Sequence, residues 1–186
     1  MAFAVLPRGS ARDRSASAAW LALILAAAAV SCVTFACVTP FAAFAVVTAA
    51  TMPWRRALAV SAAIWLINQA IGYGALGYPL DALSFAWGGA IGIAALAATA
   101  TAAGLMRRRD VAWPRVALGF AAALAAYEGL LFLVSLGLGG SQNFAPIIVA
   151  QVALANAGWL VGLAILGHLS RRAAGIRRDW RHAVTT

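Results

Sequence analysis

The chain has 186 residues, 64% of them hydrophobic and only 10% charged, with a mean hydropathy of +0.89. A soluble domain is nearer half apolar and a quarter charged, so the composition excludes a water-soluble globular protein and points to an all-α integral membrane protein. The net charge of +9 rests on fourteen arginines with no lysine. They fall in short clusters between apolar runs, which is the pattern of cytoplasmic membrane loops and not of a nucleic-acid interface.

A spanning helix needs about 20 predominantly apolar residues. The first candidate runs from Ala18 to Val38, behind Arg8, Arg12 and Arg14. It is longer than a signal-peptide core, and "AVSC" (29–32) has Ala29 where a lipobox usually has leucine, so an uncleaved first span is expected. It holds both cysteines, Cys32 and Cys37, at a spacing that matches neither a redox nor a metal motif; buried small side chains in a helix are expected. The second candidate, "TPFAAFAVVTAATMPW", offers about a dozen residues between Pro40 and Pro53 and reaches only ~18 Å as a helix. Ala57 to Leu76, Ser84 to Met106, Arg115 to Leu138 and Pro146 to Leu169 complete the set.

Charge decides whether the short segment crosses. If it does, Arg55 and Arg56, Arg107 to Arg109 with Arg115, and the five arginines from Arg171 to Arg181 all lie on the side of the N-terminus. The positive-inside rule therefore selects six spans with the N- and C-termini cytoplasmic. The short second span must then be shielded by its neighbours or sit where the bilayer thins. The expected division is a cytoplasmic N-terminal segment (1–17), a six-helix transmembrane domain (18–169) and a basic cytoplasmic tail (170–186) whose Trp180 rests at headgroup level. His168 is expected at the interface and His182 in the tail. The location is a cell membrane, the inner one, crossed several times.

The polar residues inside the spans gather in their outer halves. Asn68 and Gln69 lie past the middle of span three, Tyr127 and Glu128 past the middle of span five, Gln151 in the outer third of span six and Asn156 near its centre. Trp87 sits near the outer end of span four, with Gln142 and Asn143 in the loop above. An ionisable residue at such depth is a functional candidate by default, and Glu128 is the one carboxyl group within a span. No Arg, Lys or His lies in the outer half to pair with it, so its partner must be an amide, a tyrosine, water or a bound ligand. The bland reading stands beside this one: amides also join helices by hydrogen bonds worth ~0.6 kcal/mol on average, and Tyr73, Tyr78 and Trp87 can form an interfacial belt instead of lining a pocket. Asn68 and Gln69 are expected to bond spans five and six. Asp81 reads as a loop residue or helix cap, and "GYPLDALS" (77–84) as a lid.

Enzyme signatures are absent: there is no HExxH, GxSxG or Walker loop, and both histidines fall near the C-terminus. No enzyme, cofactor or metal is expected. Small-residue faces remain. Gly88/Gly92 and Gly158/Gly162 form GxxxG pairs that read as internal packing. Ala18, Ala22 and Ala26 make a stripe on the first span that could face another protein.

The layout resembles the S component, the substrate-binding membrane subunit of energy-coupling factor (ECF) vitamin transporters. The likeness covers Ala18 to Leu169: six spans, a short proline-bounded second span in "PFAAFAVVTAATMPWRRALAV" that runs directly into the third, and the Ala18, Ala22, Ala26 stripe, which is similar to that family's docking face. The resemblance implies a vitamin-like ligand near the outer surface under the first, third and fifth loops, lined by helices four to six, with a T component and ATPase subunits as partners. No ligand-specific motif of that family is matched. Acids and amides without arginine in the outer half favour a neutral or cationic ligand, thiamine-like, held by aromatic faces with Glu128 as counterion; a cobalamin-type ligand stays open. The alternative is a small scaffold or assembly subunit of a larger membrane complex, with no ligand of its own.

Overall fold

The structure is a computed structural model that describes residues 11–35, 39–106 and 112–173. Within these residues all the regular structure is helical: α1 (Ala11–Phe35), α2 (Phe41–Thr51), α3 (Trp54–Gly74), α4 (Ala82–Leu105), α5 (Trp113–Leu138), the single 3-10 turn η1 (Ser141–Phe144) and α6 (Pro146–Ala173). The five long helices are each apolar and long enough to cross a membrane. The chain is a multi-pass, all-α membrane protein. Cys37, Arg107 to Arg109, Trp180 and His182 lie outside the described residues.

Proline sets the boundaries of the short helix. Pro40 is the N-cap of α2 and Pro53 that of α3. Met52 between them is extended, at φ −130° and ψ 156°, as a residue preceding proline must be. Asp81 caps α4 by accepting the Ser84 amide at 2.7 Å, the cap reading of that residue. Gly139 and Gly140 adopt φ of 85° and 92°, a region open to glycine, and turn the chain from α5 into η1. Five ends run further than the sequence reading set them: α1 begins at Ala11, α3 at Trp54, α4 at Ala82 and α5 at Trp113, and α6 continues to Ala173.

All residues of α2 are buried. It is the axis of the bundle and packs against α3, α4, α5 and α6. Five alanines and two valines make it thin, so four helices can approach one backbone, the packing mode available where lipid removes the hydrophobic incentive. Its hydroxyls are satisfied within the helix: Thr48 and Thr51 each donate to the carbonyl four residues back at 2.7 Å. The long helices form a ring around it in the order α1, α3, α4, α5, with α6 closing back onto α1. Of the two expectations for the short segment, shielding by its neighbours is the one that the burial of α2 matches.

The helices alternate in direction. At one end, Trp20 of α1 donates to Thr51 Oγ1 at the end of α2, at 3.2 Å, and its ring lies over Gly167 late in α6. At the other end, Cys32 of α1 meets Thr39 ahead of α2 and Asn68 late in α3. Arg55, Arg56, Arg115, Arg171 and Arg172 therefore share the Trp20 end of the bundle, and the amides share the opposite one.

Candidate functional site

The cavity follows from the length of α2. Eleven residues reach ~16 Å, whereas the surrounding helices of 21 to 28 residues reach ~32 to ~42 Å. The ring is therefore filled by α2 at the arginine end and left open beyond its N-terminus. There lies a cavity of about 720 Å³, within the range of roughly 300–1,000 Å³ typical of small-molecule sites. Thr39 and Phe41 form its floor, and α3, α4, α5 and α6 supply its walls. The 77–84 connection and the η1 segment lie over it through Tyr78, Asp81, Asn143 and Phe144.

Seven of the residues singled out from sequence meet on this cavity: Asn68, Gln69, Tyr73, Trp87, Tyr127, Glu128 and Asn143. They come from three long helices and a loop. Tyr78 joins them, so the aromatic residues at this end line the cavity and do not merely form an interfacial belt.

Asn68 is the hub of the polar wall. It is 6% exposed, and its Nδ2 donates to Thr39 Oγ1 at 2.9 Å and to Cys32 Sγ at 3.6 Å. Gln69 Nε2 in turn donates to Asn68 Oδ1 at 2.9 Å. The sequence reading expected these amides to bond spans five and six; Asn68 bonds α1 and the entry to α2 instead, with Gln69 bonded to Asn68, because α3 packs on α1, α2 and α4. Gln69 Oε1 remains on the cavity side, against Gly88. Tyr73 OH lies 3.3 Å from Ser84 Oγ, and the Tyr73 ring contacts those of Tyr78 and Phe85 at 6.0 and 5.0 Å. These contacts tie the 77–84 segment to α3.

Glu128 differs from the rest. It lines the cavity half-buried, yet no described residue gives it a hydrogen bond or an ion pair. The cavity wall carries two carboxylates, Glu128 and Asp81, and no basic side chain. Asp81 is already committed to its helix cap. Glu128 is left as an unpartnered carboxyl group lining a space walled by Tyr, Trp and Phe. Among the described residues no group of three His, Cys, Asp or Glu converges as a metal site would require.

Two of the nominated residues stand elsewhere. Gln151 is exposed on the outer surface of α6. The inward face of that helix carries Ile148, Val152 and Asn156, one turn apart, and successive residues are rotated by about 100°, which turns Gln151 away. Asn156 is 1% exposed and structural: it donates to Val152 O at 3.0 Å and accepts the Ala43 amide at 3.2 Å. That amide belongs to the first turn of α2, where helix N–H groups have no partner of their own and Pro40 supplies no side-chain cap. An amide from α6 thus caps α2 across the bundle.

The glycine pairs also divide. Gly88 and Gly92 face α3: Trp65 Nε1 donates to Gly88 O at 2.8 Å, and a Cβ at Gly92 would lie 2.7 Å from the Trp65 ring. Gly158 and Gly162 face outward, with nothing near the position of an added Cβ, because Leu160, Leu163 and Gly167 take the inner side. For that pair the expectation of internal packing is corrected. Ala18, Ala22 and Ala26 lie on the exposed side of α1, opposite Trp20, Ile24 and Ala28.

Sequence reasoning missed Thr39, Phe41, Leu131, Ile148 and Val152, all on the cavity wall. Thr39 carried a faint signal, as a hydroxyl just before the proline that opens the short segment. The apolar four carried none, since their chemistry matches that of every lipid-facing neighbour. No family model matches the chain, and no curated protein or solved structure matches it either.

Proposed function

We propose that the chain is the substrate-binding subunit of a membrane transporter and that it holds a small organic cation, or a neutral heterocycle of similar shape, in the cavity beyond α2. The observation that carries this reading is the pairing of a ligand-sized cavity with an unpartnered carboxylate. Leaving Glu128 charged and unpaired inside a helix bundle is costly, and a cationic ligand offsets that cost. Tyr73, Trp87 and Tyr127 supply the faces that attract a cation. Asn68 and Gln69 supply hydrogen bonds that fix its orientation, and Asn143 reaches it from above.

Orientation follows from charge. With the arginine end cytoplasmic, the cavity opens to the outside of the cell's inner membrane, where an uptake subunit must meet its substrate. The resemblance to ECF S components agrees with this arrangement and adds a T component and ATPase subunits as the partners that drive release, with the exposed Ala18, Ala22 and Ala26 face as their docking surface. Thiamine-like molecules suit the cavity's charge. A cobalamin-type ligand is far larger than about 720 Å³ and would need the 77–84 and η1 segments to open. Binding and release need no bond-making chemistry, so the role is not enzymatic.

The test is thermal unfolding of the detergent-purified protein against a panel of vitamins and their precursors. A ligand that binds only the folded state at a hundredfold excess over its Kd adds about 2.7 kcal/mol, and one clear hit among the cationic members is expected. A well-folded protein that no member stabilises refutes the reading and favours an assembly subunit, whose stoichiometric partner would then be sought.

A further inference from the structure

The wall of the cavity between α5 and α6 is unlike the others. These two helices are consecutive and antiparallel, yet α6 packs on α2, η1 and α1 and makes at most marginal direct contact with α5. The seam between them is closed at two levels by aromatic bridges. Deep in the bundle, Phe41 of α2 meets Tyr127 of α5 at 5.7 Å, and Phe44 meets Trp159 of α6 at 6.0 Å. At the far end, Phe144 of η1 meets Phe132 of α5 at 5.6 Å. Between these levels the cavity is bounded by Glu128 and Leu131 on α5 and by Ile148 and Val152 on α6, so that α6 contributes apolar side chains alone. Both helices are candidate membrane spans, so the outer side of this seam faces acyl chains.

The cavity is thus polarised from side to side. Asn68, Gln69, Tyr73 and Ser84 occupy the α3–α4 wall, Glu128 stands on α5, and the α6 side is aliphatic. A compact polar vitamin would satisfy the first wall and leave the second without a match.

From this we infer that the ligand is a single-chain amphiphile, with a cationic head seated between Glu128 and the amides of α3 and an alkyl or isoprenoid-like chain leaving through the α5–α6 seam into the bilayer. The inference rests on the ligand-binding reading above and narrows its substrate class. The head is held by charge and aromatic faces. The chain leaves beside the head's own counter-charge, between Leu131 and the apolar Ile148–Val152 turn, which gives the ligand a route from the lipid as well as from water.

The experiment uses the full chain in amphipol, free of micelles. Its probes are tetramethylammonium and n-butyl-, n-octyl- and n-dodecyl-trimethylammonium, each below its self-association concentration. Affinity is expected to rise about fourfold per methylene over the first few carbons, as buried CH₂ groups contribute, and then to level off as the chain leaves the seam. An octyl probe with a terminal diazirine should label peptides around Leu131 and Ile148, and tetramethylammonium should compete with it. Ile148→Trp, on the cavity wall near the start of α6, should lower the octyl-to-tetramethylammonium affinity ratio at least tenfold, and Val152→Trp gives the same readout from the deeper turn. Head binding with no gain from chain length, or labelling confined to the 77–84 segment, overturns the amphiphile and leaves the binding subunit standing. Absence of binding by any member, tetramethylammonium included, overturns the amphiphile and the cationic form of the binding reading together.

Discussion

Asn156 offers the sharpest perturbation of the scaffold, because one side chain joins the two elements that set the cavity floor. Its Oδ1 accepts the Ala43 amide at 3.2 Å and its Nδ2 donates to Val152 O at 3.0 Å, at 1% exposure. Asn156→Ala removes the side-chain acceptor of the Ala43 amide at the buried start of α2. Interhelical hydrogen bonds in membranes average ~0.6 kcal/mol and reach ~1.7. A buried donor left without a partner costs about 1–3 kcal/mol. Since Ala43 is fully buried among the helices around α2, the upper part of the first range and the middle of the second apply, giving a loss of about 2 kcal/mol. Asn156→Leu separates the bond from the packing: it restores most of the volume and no acceptor, so it should recover little. The assay is reversible unfolding in bicelles, with hydrogen exchange at the Ala43 amide as the local probe. A leucine variant within about 0.5 kcal/mol of the wild type, with Ala43 still protected, would refute the capping argument.

Other outcomes follow from the same packing. Gly88→Ala drives a Cβ onto Gln69 Oε1 and to 3.3 Å from Tyr73 OH; it should weaken ligand-dependent stabilisation while the apo protein, read by the same melt, loses about 1–3 kcal/mol at most. Gly158→Ala meets nothing within 4 Å and should be neutral or stabilise by up to about 1 kcal/mol through helix propensity, a contrast between two glycines of identical motif that one unfolding series resolves. Asn68→Leu, made in a Cys37→Ser background, removes the bonds to Thr39 and Cys32; maleimide labelling of Cys32, buried in the wild type, should speed up at least tenfold, and an unchanged rate would deny Asn68 its role as hub.

The architecture was legible in the sequence because membrane insertion leaves few options. Apolar runs of sufficient length gave five helices, and Pro40 and Pro53 marked a sixth too short to cross alone but long enough to sit inside a ring of others. Depth along each helix was legible too, which brought Asn68, Trp87 and Glu128 to one level. Rotation about the helix axis was not. In a soluble protein the polar face of a helix reports which way it turns; here lipid and core select the same residues, so inward Ile148 and outward Leu154 look alike. That is why Gln151 was assigned to the cavity and Gly158 to the interior, when both lie on the outer face of α6. Asn156 was placed at the right depth, but its duty depended on where α2 begins, a tertiary fact with no local signature. The partners of Asn68 were missed for a similar reason: the ring order puts α1 beside α3, and six helices can be arranged in many orders that satisfy the same loops.

The central claim is that the carboxylate of Glu128 receives a positively charged ligand. The most direct measurement is ligand-induced stabilisation of the wild type and of Glu128→Gln side by side, using the best cation from the panel and a neutral isostere of it, with Glu128→Ala as a second variant. The account predicts stabilisation of the wild type by the cation, loss of at least tenfold in affinity in both variants, and little change for the isostere, all with the fold intact by its apo melting curve. Equal stabilisation of wild type and variants by the cation would remove Glu128 from the site and contradict the account.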